Sequence, residues 1–354
     1  MKQTALKTAD NYAGYIRFKR LFLILMFILT VVIALVAITC GSSGLSIGEV
    51  IRTLLGQGQE KSKIIVFNLR LPRTATAIVA GLGLAVVGCV MQSVLQNPLA
   101  SSSTLGVSQG AAFGAAFAII VLDAGLQSQT LDGVAIMNPY TTSLCAFVCS
   151  MLTTMVVLGL SRLKKVTPQM LILSGVALSS LFSGGTTLLQ YFADDVKVAA
   201  VVFWTFGSLS STSWREILIM AIVVVLALIY FLFNRWNYNA LQSGEATAKG
   251  LGVNTDRLLL GSMVVCSLTS SVIVSYIGII NFIGLVAPHL MRRVVGSDYR
   301  YLLPASALMG SCLLLLSDTV ARLAVQPIIL PIGAITSFLG ALLFLYLIFK
   351  GGKR

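Results

Sequence analysis

Hydroxyls, arginines and glycines, rather than carboxylates or thiols, carry the spacings in this sequence that could do chemistry. Gly175, Ser179, Ser183 and Thr187 recur every four residues, with Ser174, Ser180 and Thr186 beside them. That spacing sets the four on one helix face. A stripe of hydroxyls is costly against lipid and suits either helix–helix hydrogen bonding or a water-filled path. Arg70 and Arg73 bracket Leu71-Pro72. Proline fits a first helical turn, whereas two arginines there oppose the helix dipole, which prefers anions at that end. They read either as interfacial snorkels or as a docking site for carboxylates of an extracytoplasmic partner, since arginine makes bidentate pairs. Arg322 is a third such cation, one turn from Asp318, with which it can pair inside one helix. The run from Gly244 to Gly252, with Glu245, Ala248, Gly250 and Leu251 inside it, reads as a short helix bounded by glycines. It lies in a charged break, 234–257, longer than the few residues a connector between bundle helices needs. Such a segment fits a surface built for a cytoplasmic partner, or an amphipathic helix lying in the interface.

Enzymatic chemistry finds little support. His289 is the only histidine, and no acid accompanies it in Ala287-Pro288-His289-Leu290-Met291-Arg292-Arg293. An intramembrane hydrolase built on a serine and His289 is therefore a distant reading. All six cysteines fall in or beside apolar runs; Cys145 and Cys149 share a helix face without further metal ligands, so they read as small packing residues. No G-x-x-x-x-G-K-[ST] phosphate loop occurs, so the chain is not expected to hydrolyse ATP by itself.

The elements that must position these residues follow from composition. The 354 residues are 57% hydrophobic and only 10% charged, with a mean hydropathy of +0.92. Soluble domains carry roughly 25% charged residues, so a water-soluble globule is excluded and the chain reads as a polytopic, all-α membrane protein. A crossing needs about 20 mostly apolar residues. Dividing the uncharged runs at Gln96-Asn97-Pro98 and near Gly278 and Asn281 gives ten helices: 21–40, 74–95, 104–122, 140–160, 169–191, 217–233, 258–277, 282–295, 302–321 and 331–349. The stretch 198–214 turns polar halfway and reads as an interfacial helix and turn. The first 40 residues resemble a signal peptide, but they lack a small-residue cleavage site and are long enough to span. A single permease domain, 21–350, is thus expected between an N-terminal segment, 1–20, and a tail, 351–354.

Charge tests the count. Ten helices put both ends on one side, and that side then carries 17 of the 25 Lys and Arg against 4 of the 12 acidic residues. The other side holds eight of each, so the whole net charge of +13 falls on one face. The positive-inside bias makes that face, and both termini, cytoplasmic. The basic residues are dispersed singly rather than gathered, which argues against a nucleic-acid partner.

Several segments together resemble the permease family of bacterial ABC importers for iron–siderophore complexes, haem and vitamin B12. They are Arg70-Leu-Pro-Arg73; Gln96-Asn97-Pro98-Leu99-Ala100; Leu105-Gly106-Val107-Ser108; Gly244-Glu245 through Leu251-Gly252; Ile280-Asn281-Phe282-Ile283-Gly284-Leu285-Val286-Ala287-Pro288-His289; Asp318 with Arg322; and Leu330-Pro331-Ile332-Gly333. They run in family order over about residues 65–350. The resemblance implies a vitamin B12-importer-like fold of ten helices and a dimer with a second permease subunit. It also implies two cytoplasmic ATPase subunits, which hold ATP and Mg while this chain binds no cofactor or metal, and an extracytoplasmic substrate-binding protein. On the same grounds Arg70, Arg73 and Arg322 would meet the binding protein, and Gly244 to Gly252 would seat on the ATPase. The stripe at Gly175, Ser179, Ser183 and Thr187 would line the path with the tenth helix. The implied cargo is a ferric siderophore, with haem or a corrinoid as the alternative. An ion-coupled secondary transporter is the distant rival, and the near absence of intramembrane carboxylates weighs against it.

Overall fold

The computed structural model describes residues 2–40, 46–124, 138–163, 168–325 and 328–351. Two of the chain's expectations touch residues outside that set: most of the 351–354 tail, and the basic loop around Lys164. Among the described residues the chain is helical, with one isolated antiparallel bridge, Val325 to Ile328. In chain order the helices are α1 (Lys2–Thr39), α2 (Ile47–Leu54), α3 (Glu60–Lys63), α4 (Leu71–Val94), α5 (Val107–Ile120), α6 (Pro139–Leu163), α7 (Pro168–Tyr191) and α8 (Asp195–Thr205). They continue as α9 (Trp214–Phe233), α10 (Arg235–Gln242), α11 (Glu245–Gly250), α12 (Thr255–Ile277), α13 (Ile283–Val295), α14 (Tyr299–Leu323) and α15 (Ile332–Gly351).

Each of the ten expected segments is helical. Among the described residues seven helices are long and apolar enough to cross a bilayer: those within Gly14–Thr39, Glu60–Val94, Pro139–Leu160, Pro168–Tyr191, Trp214–Phe233, Thr255–Ile277 and Tyr299–Leu323. The other three are shorter. Val107–Ile120 and Ile332–Tyr346 are apolar, and α13 carries two arginines in its last turn. Two boundaries differ from the sequence reading. The helix leading into α4 starts at Glu60 and runs through a π-helical stretch, Ile64–Arg70, so Pro72 is not at a free helix end. The polar half of 198–214 is irregular, and its helix, α8, begins earlier, at Asp195.

α4 is the central helix, most of its residues being buried. Its stripe Ala77, Gly81, Ala85, Cys89 is the reason: without a side chain at Gly81, the backbone of α14 approaches so closely that a Cβ there would stand 2.5 Å from Gly310 O. A Cβ on Gly284 of α13 would stand 2.7 Å from Leu84 O on the same helix. In lipid, where apolar burial gives no advantage between helices, such small-residue contacts hold the bundle. The Gly106, Gly110, Gly114 stripe does the same against Cys145, Cys149 and Thr153 of α6. All six cysteines are free.

Three irregular backbone segments meet at one end of the bundle. Ser208 N donates to Ile277 O (2.8 Å), and Gly333 N donates to Phe206 O (2.9 Å). Gly278 lies against Trp204 O and Gly207 with φ +76°. Non-helical backbone at membrane depth persists only where protein covers it and satisfies its polar groups.

Candidate functional site

The residues expected to act fall into three places, and the structure keeps them apart. Arg70, Arg73 and Arg322 gather at one end, where α4 and α14 meet the end of α1. They are not displayed: each is less than a tenth exposed, and Asp318 is 1% exposed. Arg73 Nε and Nη2 each lie 2.8 Å from Asp318 Oδ1, while Arg73 Nη1 donates to Ser210 Oγ at 2.7 Å. Arg322 Nε sits 3.0 Å from Asp318 Oδ2 as an ion pair without hydrogen-bond alignment. Its Nη1 and Nη2 donate to Cys40 O (2.8 Å) and Ala37 O (3.0 Å). Arg70 Nη1 donates to Ile38 O (2.7 Å) and Thr39 O (3.0 Å). The last carbonyls of α1 have no partner within their own helix, and two of the arginines supply it. The pair within α14 is present as the spacing allows, but Arg73 from α4 shares its carboxylate. The cluster is first a buried clasp joining α1, α4 and α14.

At the opposite end lies the glycine-bounded segment. Gly244 (φ +102°) and Gly252 (φ +83°) take left-handed-side backbone on either side of α11, which is why glycine stands at both. Ala248 is fully buried against the bundle, while Leu251 is 69% exposed. Glu245 and Lys249 pair across one turn at 2.6 Å. The hydrogen bond and charge of Lys249 hold the Glu245 carboxyl below its usual range, and the reciprocal contact raises Lys249. Gly250 has open space around it, so its role is not close packing.

α11 stands on α10, a helix that the break 234–257 did not announce. Asn239 Nδ2 donates to Asp298 Oδ1 (3.1 Å), its Oδ1 accepts from Tyr299 N (2.9 Å), and Gln242 Nε2 donates to Ser297 O (2.9 Å). Tyr238 packs on Tyr299 with ring centroids 5.4 Å apart and shares a 2.7 Å hydrogen bond with Ser262 of α12. Tyr299 in turn donates to Cys89 O of α4. Asp298 caps α14 by accepting from Arg300 N (3.0 Å). Burial works to raise the Asp298 pKa, but hydrogen bonds from Arg300 and Asn239 outweigh it and hold it low. The aromatic residues Trp236, Tyr238 and Tyr299, spaced among polar ones, were the available sign of this rigid platform.

The stripe on α7 divides. Gly175 is a packing residue: a Cβ there would stand 2.6 Å from Thr104 O. Ser179 is half-buried, while Ser183 and Thr187 are exposed together with Ser180 and Gly184. Positions 180, 183, 184 and 187 make one open face of small polar residues. Their hydroxyls turn back on their own helix. Ser179 donates to Gly175 O (2.8 Å), Ser180 to Val176 O (3.2 Å) and Thr187 to Ser183 O (3.0 Å). With the Ser180 and Thr187 hydroxyls bonded to their own helix, this face is small and only weakly adhesive.

Gln92 was not anticipated. Pro288 inside α13 has no N–H for Gly284 O four residues earlier. Gln92 Nε2, from α4, stands 3.5 Å from Gly284 O and 3.4 Å from Leu285 O. The proline in a helical pattern was the signal that some donor had to come from elsewhere. His289 is half-buried with its ring 6.0 Å from that of Phe344 on α15, and no group of three or more His, Cys, Asp or Glu is placed to hold a metal among the described residues.

Three of the segments that the charge bias puts on one side, 96–103, 234–257 and 292–300, contribute to a common pocket at one end. Those assigned to the other side meet at the other end, around Arg73, Ser208 and Pro331.

Comparison with known proteins agrees with this architecture. A Methanocaldococcus jannaschii chain carrying the name of an ABC transporter permease is 48% identical over 98% of this chain and 99% of its own length. The hemin transport system permease protein of Yersinia pestis is 35% identical, over 94% of this chain and 96% of its own. An iron(III)-citrate import system permease protein of Bacillus subtilis is 32% identical, again over 94% and 96%. A solved structure described as an inward-facing metal-chelate type ABC transporter superposes with a TM-score of 0.81 at 31% identity, covering 93% of this chain and 99% of that one. The FecCD transport family matches residues 28–350. With its helical architecture and this match over nearly its whole length, the chain belongs to the FecCD transport family and is a multi-pass ABC importer permease.

Proposed function

We propose that this chain forms the membrane path of a binding-protein-dependent importer that carries an iron chelate inward, driven by ATP hydrolysed on separate subunits. The observation that supports it most directly is the α10–α11 platform. α11 presents Leu251 outward and anchors Ala248 inward, and α10 is fixed by hydrogen bonds to the α13–α14 turn and through Tyr299 to α4. A push on α11 from a cytoplasmic ATPase reaches the central helix through rigid contacts rather than a slack loop. Gly244 to Gly252 is thus the proposed seat for the two ATPases, where ATP and Mg would reside, the permease itself being non-catalytic. The α7 face at Ser179, Ser183 and Thr187 is the proposed path wall, shared with α15 and a second permease copy about the dimer axis. Relatives named for hemin and iron(III)-citrate support a chelate as cargo, and a ferric siderophore is the first choice over haem or a corrinoid.

The outer corner has three arginines to one carboxylate, an excess of positive charge that suits acidic lobes of an extracytoplasmic binding protein. Because Arg70, Arg73 and Arg322 are engaged internally, direct pairing with that protein requires some of these bonds to be exchanged. Localisation in the plasma or inner membrane with both termini cytoplasmic follows from the charge bias.

The decisive experiment is reconstitution in vesicles with the ATPase and binding protein, comparing ATP-dependent uptake of a ferric siderophore, haem and a corrinoid. Uptake is expected only with all components and ATP present; uphill transport by this chain alone overturns the reading. Gly250→Pro removes a backbone donor within α11 and is expected to leave ATP hydrolysis while abolishing uptake.

A further inference from the structure

Cations and aromatic rings alternate where α1, α10 and α14 meet at the platform end, and neither the path nor the ATPase seat uses them. Lys19 Nζ stands 4.2 Å from the centroid of the Tyr15 ring, one turn earlier on α1, and 5.1 Å from that of Tyr301 on α14. Arg300 Cζ lies 5.6 Å from the same Tyr301 centroid and 5.0 Å from that of Trp236 on α10. Arg235 approaches Trp236 as well, at 5.9 Å. Measured to one centroid, the Lys19 and Arg300 charges are no more than about 11 Å apart. Three cations thus stand on three rings, and among the described residues the one carboxylate that ion-pairs with any of them is Asp298, on Arg300. Lys19 is the unusual member. It is only 4% exposed, yet no carboxylate lies within ion-pairing distance and no oxygen accepts a hydrogen bond from it among the described residues. Ring faces attract a cation without neutralising it, and a buried charge is normally paired. Unlike Arg322 Nε, the Lys19 nitrogen is not sealed off from the surface. Gly296 (φ +78°) keeps the space open: a Cβ there would stand 3.2 Å from Tyr15 Oη and 3.7 Å from Lys19 Nζ.

Depth in the bilayer decides what supplies the missing counter-charge. From Lys19 to Thr39 the helix is continuous and about 30 Å long, the thickness of the hydrocarbon core. Its far end is held by the arginine clasp. Between them Leu21, Ile24, Leu25, Ile28, Val32 and Leu35 are exposed on one face, which suits lipid chains. Lys19 therefore lies at the level of the headgroup phosphates, where the exposed rings of Tyr15 and Trp236 belong as interfacial aromatics. We propose that Lys19, clamped between Tyr15 and Tyr301, binds the phosphodiester of an anionic phospholipid in the leaflet at the platform end. Lys19 and Arg235, with the exposed Arg17 and Arg20 beside them on α1, leave a surplus of positive charge. That surplus favours a headgroup of net negative charge over a zwitterionic one, whose own ammonium it repels. The bound lipid joins the start of α1 to α14 across Tyr301. This site does not depend on the proposed transport reaction.

The test is the thermal unfolding midpoint of the purified full-length chain in a neutral detergent at pH 7. Phosphatidylglycerol and phosphatidylcholine with the same acyl chains are titrated in parallel, and glycerol phosphate supplies the phosphate without the chains. Phosphatidylglycerol is expected to raise the midpoint saturably, with an apparent affinity at least about fivefold above that of phosphatidylcholine, the factor one basic residue contributes at a membrane surface. Glycerol phosphate is expected to leave the midpoint unchanged at the same concentrations. Lys19→Met keeps the apolar stem, removes the charge and is expected to abolish the preference, whereas Arg20→Gln is expected to retain it. If Lys19→Met does not fold, Tyr15→Ala, which removes an exposed ring of the clamp, is expected to weaken the preference. Equal responses to the two lipids, or an undiminished preference in Lys19→Met or in Tyr15→Ala, overturn the proposal. Equal losses in Lys19→Met and Arg20→Gln would show a diffuse surface charge instead of a site and overturn it too. Stabilisation by glycerol phosphate matching that by phosphatidylglycerol would identify a free phosphate as the ligand and overturn the lipid assignment.

Discussion

Asp318 is the single carboxylate between two buried arginines, and its removal leaves both without a charge partner. Breaking a buried pair from one side typically costs about 3–5 kcal/mol, because the remaining charge stays desolvated. Asp318→Ala is therefore expected to lower stability by that order, measured as the detergent-unfolding midpoint, whereas replacing an exposed arginine such as Arg257 is expected to change it little. A wild-type midpoint in Asp318→Ala would show that the clasp does not hold α1. Asp298 gives a second, pH-resolved test. Its pKa is held below the usual value of 3.8, so its stabilising contribution is present above pH 3.8 and is lost as pH falls through the lower folded value. Wild type and Asp298→Asn are expected to differ at neutral pH and to converge below pH 3.8, read from unfolding midpoints across that range. The sequence showed Asp318 and Arg322 one turn apart, but Arg73 lies 245 positions from Asp318, and nothing local could reveal that it shares the carboxylate.

Helices here meet by backbone approach rather than by interdigitated large side chains. Gly81 on α4 and Gly310 on α14 face each other, so any side chain at either must push the helices apart. Overpacking of this kind costs typically about 1–3 kcal/mol. Gly310→Val is expected to destabilise the chain by at least that amount, while Gly159→Ala, which has open space around it, is expected to be neutral; equal effects in an unfolding assay would refute the packing argument. The four-residue repeat at Ala77, Gly81, Ala85 and Cys89 was legible in sequence because the helical period puts it on one face. Its partner at Gly310 was not. α10 escaped notice because it is short and not apolar, and its stability comes from the contacts of Tyr238, Asn239 and Gln242 with α12 and the α13–α14 turn. Tertiary packing, more than intrinsic propensity, stabilises a helix of eight residues.

Across the whole molecule the two ends differ in kind. One carries the buried arginine clasp and the knot of irregular segments 206–208, 277–282 and 331–333; the other carries the α10–α11 platform and the polar pocket. If the basic end is cytoplasmic, cysteines introduced at Ser243 and Ser211, both exposed, are expected to label from opposite sides of sealed vesicles. Labelling of both from one side would break the topology.

The sequence by itself determined the class of molecule and its division into helices, since a chain so apolar has no other way to satisfy its backbone in lipid than by helices or a closed barrel. Its charge distribution sets the expectation of which loops share a side, because charge is expensive to move across the bilayer, and it carried enough motif to indicate the family. Tertiary structure alone decided what each polar residue faces. Arg70, Arg73 and Arg322 turned inward to the end of α1 and to Asp318, Gly175 became a packing contact while Ser183 and Thr187 stayed open, and Gln92 came to serve a carbonyl that Pro288 had left unpaired. These contacts join residues from 31 to 285 positions apart, and the helical period that organises one face says nothing about which distant face it meets.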